Sequence, residues 1–170
     1  MHSNKIFPII ITILSIVIII YLFANAKQPV VVCDRVVKDD LGISISESLD
    51  TTIDGNKIRS MILVKTITLP EELLDDNYLN SIMFAIEKSY KYLEDAVSIS
   101  KTSNSIIVRV EIDDDETIIL NNIEFFYNDE LQIRINSNTK SSDVITLKVR
   151  DNYTEGELKK RLKNNGYSCK

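Results

Sequence analysis

The sequence predicts an α+β protein: an N-terminal transmembrane helix, then one domain in which an antiparallel sheet packs against a long amphipathic helix and a short C-terminal helix. Three observations carry that expectation. Positions 6–26 form an uncharged apolar run, IFPIIITILSIVIIIYLFANA. Several later segments alternate apolar and polar residues with a period of two, as half-buried strands do. Between them, one segment repeats apolar residues at three- and four-residue intervals, as a helix lying on a sheet does.

The apolar run comes first. At a helical rise of about 1.5 Å per residue it spans roughly 31 Å, the thickness of a bilayer's hydrocarbon core. Positions 1–5 form a short tail before it, 27–29 a linker after it, and 30–170 one extracytoplasmic α+β domain, large enough to bury a core without metals. Lys5 and the small residues Ala24 and Ala26 also suit a cleavable signal peptide, whose apolar core is usually about 7 to 15 residues long. The run exceeds that length, so an uncleaved single-pass anchor is the expectation. The alternative, cleavage after Ala26, would leave a secreted domain. The positive-inside rule does not support an external domain, because Lys27, Arg35 and Lys38 follow the run while Lys5 and the α-amine precede it. The external placement rests instead on the short tail and on the cysteines. Cys33 is no lipidation site, since Val30, Val31 and Val32 stand where small residues would be needed.

Cys33 and Cys169 are the two cysteines of the chain, one at each end of the domain. A bond between them would close nearly the whole domain into one ring and fasten the C-terminal tail to the first strand. Such a loop is worth about 5 kcal/mol as an upper figure in the chain-entropy model. An oxidising compartment favours that pairing; the alternative is two unpaired thiols, one in the core and one at a frayed end. Redox catalysis would need a close pair or a nearby cation. Zinc would need ligands that two cysteines and the lone His2, before the apolar run, do not complete.

Positions 30–37 are β-branched and apolar, and positions 43–53 alternate after the turn at 38–42, so two paired strands are expected. Asp54, Gly55 and Asn56 tolerate positive φ and predict a hairpin into a long strand over 57–69. Simple alternation places Ile58, Ser60, Ile62, Val64 and Thr66 on one face of that strand. Arg59, Met61, Leu63, Lys65 and Ile67 fall on the other, so both faces are partly apolar. Pro70, Glu71 and Glu72 suit a first helical turn, and Asn77 can cap a helix reaching about Ala96. Its stripe is Leu79, Ile82, Met83, Ile86, Tyr90, Leu93 and Val97, with Glu87 and Lys91 as an exposed pair four apart. A polar linker over 101–105 and a strand over 106–112 follow. Asp113, Asp114, Asp115 and Glu116 form an acidic turn that lacks the alternating carboxylates and glycine of a calcium loop. Short strands are expected at 118–120, 123–127, 131–135 and 144–150. Last, Thr154 and Glu157 form a capping box for a helix carrying Leu158 and Leu162, and Gly166 suits its left-handed stop. The sequon Asn152-Tyr153-Thr154 coincides with that cap and is read structurally.

Composition narrows the function classes. The net charge is −5 with no block of Lys or Arg, which speaks against nucleic acid as a partner. No Trp, four Gly and three Pro suggest a sheet-rich chain rather than a loop-rich one. No histidine follows the apolar run, so an enzyme would have to rely on carboxylate, Lys or Tyr chemistry, and no catalytic residue or cofactor is assigned. A pilin-like subunit would continue the anchor as a long helix, which Pro29 and the valines after it break.

An anchor, a cysteine just beyond it, a strand-hairpin-strand unit, an amphipathic helix, further strands and a terminal helix ending Gly166-Tyr167-Ser168-Cys169 resemble a group of small membrane-anchored envelope proteins of Firmicutes. More distantly, the layout resembles the YehR-like lipoproteins. The resemblance implies an antiparallel sheet with helices on one face. It implies no catalytic residues, and no lipid anchor at Cys33. The expected function is therefore a membrane-tethered, non-enzymatic domain that binds an envelope component, a protein partner or a small ligand. The alternatives are a secreted domain and a carboxylate-based enzyme.

Overall fold

Alternating β-branched and polar residues set the strands, and the turn residues between them set the register. The computed structural model describes residues 30–170 apart from 121, 129 and 136–143. The expected tail, apolar run and linker lie outside the described residues. The strands are β1 (Val30–Lys38), β2 (Ser44–Asp54), β3 (Lys57–Thr68), β4 (Val97–Lys101), β5 (Ser105–Ile112), β6 (Thr117–Leu120), β7 (Ile123–Asn128), β8 (Glu130–Ile135), β9 (Ile145–Lys148) and β10 (Ser168–Cys169). Helix α1 is Asp76–Tyr90 and α2 is Glu155–Lys163.

Six strands form the main antiparallel sheet in the order β10-β1-β2-β3-β5-β4, and β6-β9 and β7-β8 form two small antiparallel pairs. The first turn is closed by Asp39, whose carboxylate accepts the backbone N–H groups of Leu41 and Ile43 at 3.0 and 2.8 Å. In the second, Gly55 and Asn56 both take positive φ, 55° and 64°. That is the conformation a two-residue hairpin loop needs to match strand twist.

Cross-strand neighbours share a face. One face of the main sheet carries Cys33, Leu49, Leu63 and Val110 in one row and Val31, Thr51, Met61 and Ile112 in the next. All eight are buried. Leu79, Ile82 and Ile86 of α1, Leu158 and Leu162 of α2, and Ile118, Leu120, Ile145 and Leu147 of the β6-β9 pair complete the same core. The opposite face presents Ser46, Ser48, Asp50, Ser60, Ile62, Val64 and Thr66, all half-buried.

The expected fold class is corrected in its helical part. Among the described residues no helix is long and apolar enough to cross a membrane. The long amphipathic helix is short, 15 residues. It stops at Tyr90 and tightens into a 3-10 segment, Lys91–Ala96, in which Leu93 leaves helical geometry at φ −117°, ψ 34°. The domain is therefore dominated by strands, with two short helices laid against them. The reason lies in Val97-Ser98-Ile99-Ser100, where the helical stripe and a two-residue alternation overlap. Pairing Val97 with Val110 and Ile99 with Val108 adds an edge strand and satisfies backbone groups that a longer helix would leave on the surface.

Smaller corrections follow from the same geometry. Asp75, not Asn77, caps α1, accepting the Asn77 N–H at 2.7 Å. Glu87 and Lys91 form no ion pair, because Lys91 lies past the end of the helix. Pro70 begins a single 3-10 turn, Glu71–Leu73, rather than a helix. The polar stretch at 101–105 is the β4-β5 turn. A register shift between Thr52 and Ile53 pairs Thr52 with Ser60 but Ile53 with Ile58. This bulge leaves Arg59 outside the alternation. Ile58 is thereby buried and Arg59 turned to solvent, paired with Asp54 at 2.8 Å.

The capping box of α2 forms. Thr154 Oγ1 accepts the Glu157 N–H at 3.2 Å, and the Glu157 carboxylate accepts the Thr154 N–H at 2.9 Å. Those bonds hold the Glu157 pKa below the usual carboxylate range. Replacing Thr154 by alanine is expected to cost about 1 kcal/mol, read as a lower melting temperature at neutral pH. The difference should shrink in acid, because a depressed carboxylate pKa stabilises only above that pKa and its contribution disappears as pH falls through it.

Candidate functional site

The chemistry of this domain gathers where three charged residues stand abreast on adjacent strands. Arg35 on β1 is the cross-strand partner of Glu47 on β2, and Glu47 is the partner of Lys65 on β3. All three share the core-facing side of the sheet, so the row reads plus, minus, plus. Lys65 is 0% exposed and Glu47 4%. Their Nζ and Oε1 atoms lie 2.8 Å apart.

Every further partner comes from a different part of the chain. Lys65 Nζ also donates to Asn122 Oδ1 at 2.7 Å. Tyr90, at the end of α1, places its hydroxyl close enough to act electrostatically on Lys65, though that oxygen has no well-aligned hydrogen bond. Tyr167, just after α2, donates its phenolic hydrogen to Glu47 Oε2. The Arg35 guanidinium lies over the Tyr167 ring, 5.7 Å from its centroid, a cation–π arrangement.

Electrostatics fix the protonation of the cluster. Burial is the largest influence and by itself would lower the Lys65 pKa, but the charge of Glu47, its hydrogen bond and the adjacent Tyr90 together outweigh it, and the net shift is upward. Lys65 is thus a permanent ammonium at neutral pH. Burial and the neighbouring Glu47 raise the Tyr167 pKa, so the phenol stays protonated and remains a donor. A nucleophilic lysine or a phenolate base would need the opposite shifts.

The structure brings Cys33 and Cys169 together as a disulfide, with sulfurs 2.02 Å apart and a sequence separation of 136. They are cross-strand partners of β1 and β10, and the Lys170 N–H donates to the Val32 carbonyl at 3.0 Å. The staple and the charged row are neighbours. Arg35 lies two residues beyond Cys33 on the same face of β1, and Tyr167 lies two residues before Cys169. The turn that delivers Tyr167 uses Gly166 at φ 85°, where an added Cβ would stand 3.5 Å from Arg35 Nε.

The acidic turn binds cations of its own chain. Asp115 pairs with Lys148 at 3.1 Å and Asp114 with Arg150 at 3.5 Å. Among the described residues no group of three or more His, Cys, Asp and Glu side chains converges as metal ligands would.

Sequence reasoning missed the charged row. The signal was present: Lys65 interrupts Met61, Leu63, Ile67 and Leu69, and Glu47 interrupts Ile45 and Leu49, each at a core-facing position of its strand. Two opposite charges at inward positions of neighbouring strands predict a buried pair. Comparison with known family models, with curated proteins and with solved structures finds no match to this chain.

Proposed function

We propose that residues 30–170 form an exported, disulfide-stapled binding domain that performs no catalysis, delivered to the outer side of a membrane by the apolar segment at 6–26. The layout of the sequence, which resembles that of small envelope proteins of Firmicutes, motivates this reading. The observation that carries it is the Cys33–Cys169 bond, which closes the whole domain and suits an oxidising compartment. The non-catalytic part rests on the charged row, since its ammonium and phenol are held in their protonated forms and its carboxylate is engaged by both. Such a row organises a sheet rather than a reaction.

The reading is tested in intact cells expressing the full chain, using a membrane-impermeant amine label. Lys38 and Lys57, both exposed, are expected to be modified before lysis as fully as after it. Modification only after lysis would overturn the external placement.

A further inference from the structure

Beside the charged row lies a cavity of about 320 Å³ lined by Lys88, Ser89, Tyr90, Tyr92, Ile119, Asn122 and Ile135. Its size falls at the lower end of small-molecule sites, about 300 Å³ and upward. Its lining has a chemical bias. Although the chain carries a net charge of −5, no carboxylate among the described residues borders the cavity.

The polar groups facing it are donors. Lys88, on the last turn of α1, has no partner among the described residues. Asn122 is 4% exposed, and its Oδ1 is held by Lys65. What Asn122 has left to offer the cavity is its amide nitrogen. Tyr90 is equally buried, and its hydroxyl lacks a hydrogen-bond partner. Tyr92 is 56% exposed, and partial burial together with Tyr90 beside it moves its pKa up from the ordinary 10.0, so it is a protonated phenol at neutral pH as any tyrosine is. Ser89 spends its hydroxyl hydrogen within the helix, donating to the Ala85 carbonyl at 2.8 Å. The rest of the wall, the Ile119 and Ile135 side chains and the tyrosine rings, is apolar.

An unpaired ammonium, an amide N–H₂ and phenolic hydroxyls around an apolar wall match one class of ligand. We infer that this cavity binds a small organic carboxylate with an apolar body, its carboxylate against Lys88 and Asn122 and its body against Tyr92, Ile119 and Ile135. The buried Lys65–Glu47 pair supports the site from behind by fixing the Asn122 amide. Oδ1 is held toward the core, which directs the N–H₂ outward and sets the selectivity for an acceptor.

The inference rests on the binding-domain reading and names the ligand class for it. The chain contains no Trp, so its ultraviolet emission comes from tyrosine, and two of the tyrosines line the cavity. Full-length protein in non-ionic detergent is titrated with cyclohexanecarboxylate, which is transparent in that range, and with the neutral isostere cyclohexanecarboxamide. A saturable emission change is expected for the carboxylate, with binding about tenfold weaker for the amide and in Lys88→Gln, as loss of a charge-assisted contact implies. Lys57→Gln, on the distant hairpin, should bind like the parent. Lys88 and Lys57 are both exposed, so neither substitution threatens folding. No saturable response, equal binding of acid and amide, or an unchanged Lys88→Gln would each overturn the site. A negative titration on protein that is still labelled in intact cells overturns the site alone, leaving the external placement standing.

Discussion

Replacing Glu47 by methionine is expected to destabilise the domain by about 3–5 kcal/mol, because it leaves a buried ammonium without its counter-charge. In place of that counter-charge Lys65 would retain its hydrogen bond to the neutral Asn122 amide. For a chain of this size the loss corresponds to a melting temperature lower by roughly 10 °C, followed by far-ultraviolet circular dichroism. The double variant Glu47→Met, Lys65→Met should recover most of it, since an apolar pair of similar volume carries no desolvation cost. A single variant that melts like the parent would mean the pair is solvated, contrary to the burial seen here. The same cluster sets an alkaline limit. Lys65 and Tyr167 both have folded pKa values raised above their ordinary 10.5 and 10.0. A raised pKa contributes stability that is complete below the unfolded value and is lost as pH rises toward the folded one. Stability should therefore begin to fall above about pH 10.

The second large effect comes from the disulfide. The double variant Cys33→Ala, Cys169→Ala is expected to lose about 2–5 kcal/mol, with the chain-entropy model giving about 5 as its upper figure for so long a loop. Alanine is chosen because Cys33 is fully buried, where a serine hydroxyl would add its own desolvation cost. The loss should extend to the charged row. With β10 untied, Tyr167 is held over Glu47 less firmly, so Tyr167→Phe should cost less in the disulfide-free chain than in the parent. Additive costs would show that the staple and the row act independently.

The strand layout was legible because its signals are local. Asp54-Gly55-Asn56 needs only its own φ preferences to make a hairpin, and Thr154 with Glu157 caps α2 within one turn. The edge strand β4 was not legible, because Tyr90, Leu93 and Val97 fit a helical stripe as well as Val97 and Ile99 fit a strand. Only the presence of β5, with Val110 and Val108 waiting opposite, decides between them. The bulge at Arg59 was hidden for a similar reason: alternation is a rule for an unbroken strand, and one extra residue reverses it. The cavity was the least legible feature. It joins the end of α1 to Ile119, Asn122 and Ile135, positions that are distant in sequence and share no motif. The charged row stands between these cases, since Lys65 and Glu47 each break an apolar alternation, yet their partnership depends on the β2-β3 register.

The most direct test of an exported, stapled domain is the state of its two cysteines in the cell. Full-length protein taken from its native membrane, with free thiols alkylated at harvest, is digested without reduction and analysed by mass spectrometry. The account predicts a peptide pair linked through Cys33 and Cys169 and no alkylated form of either residue. Both cysteines recovered as alkylated thiols would contradict it, removing the staple and with it the case for an oxidising compartment.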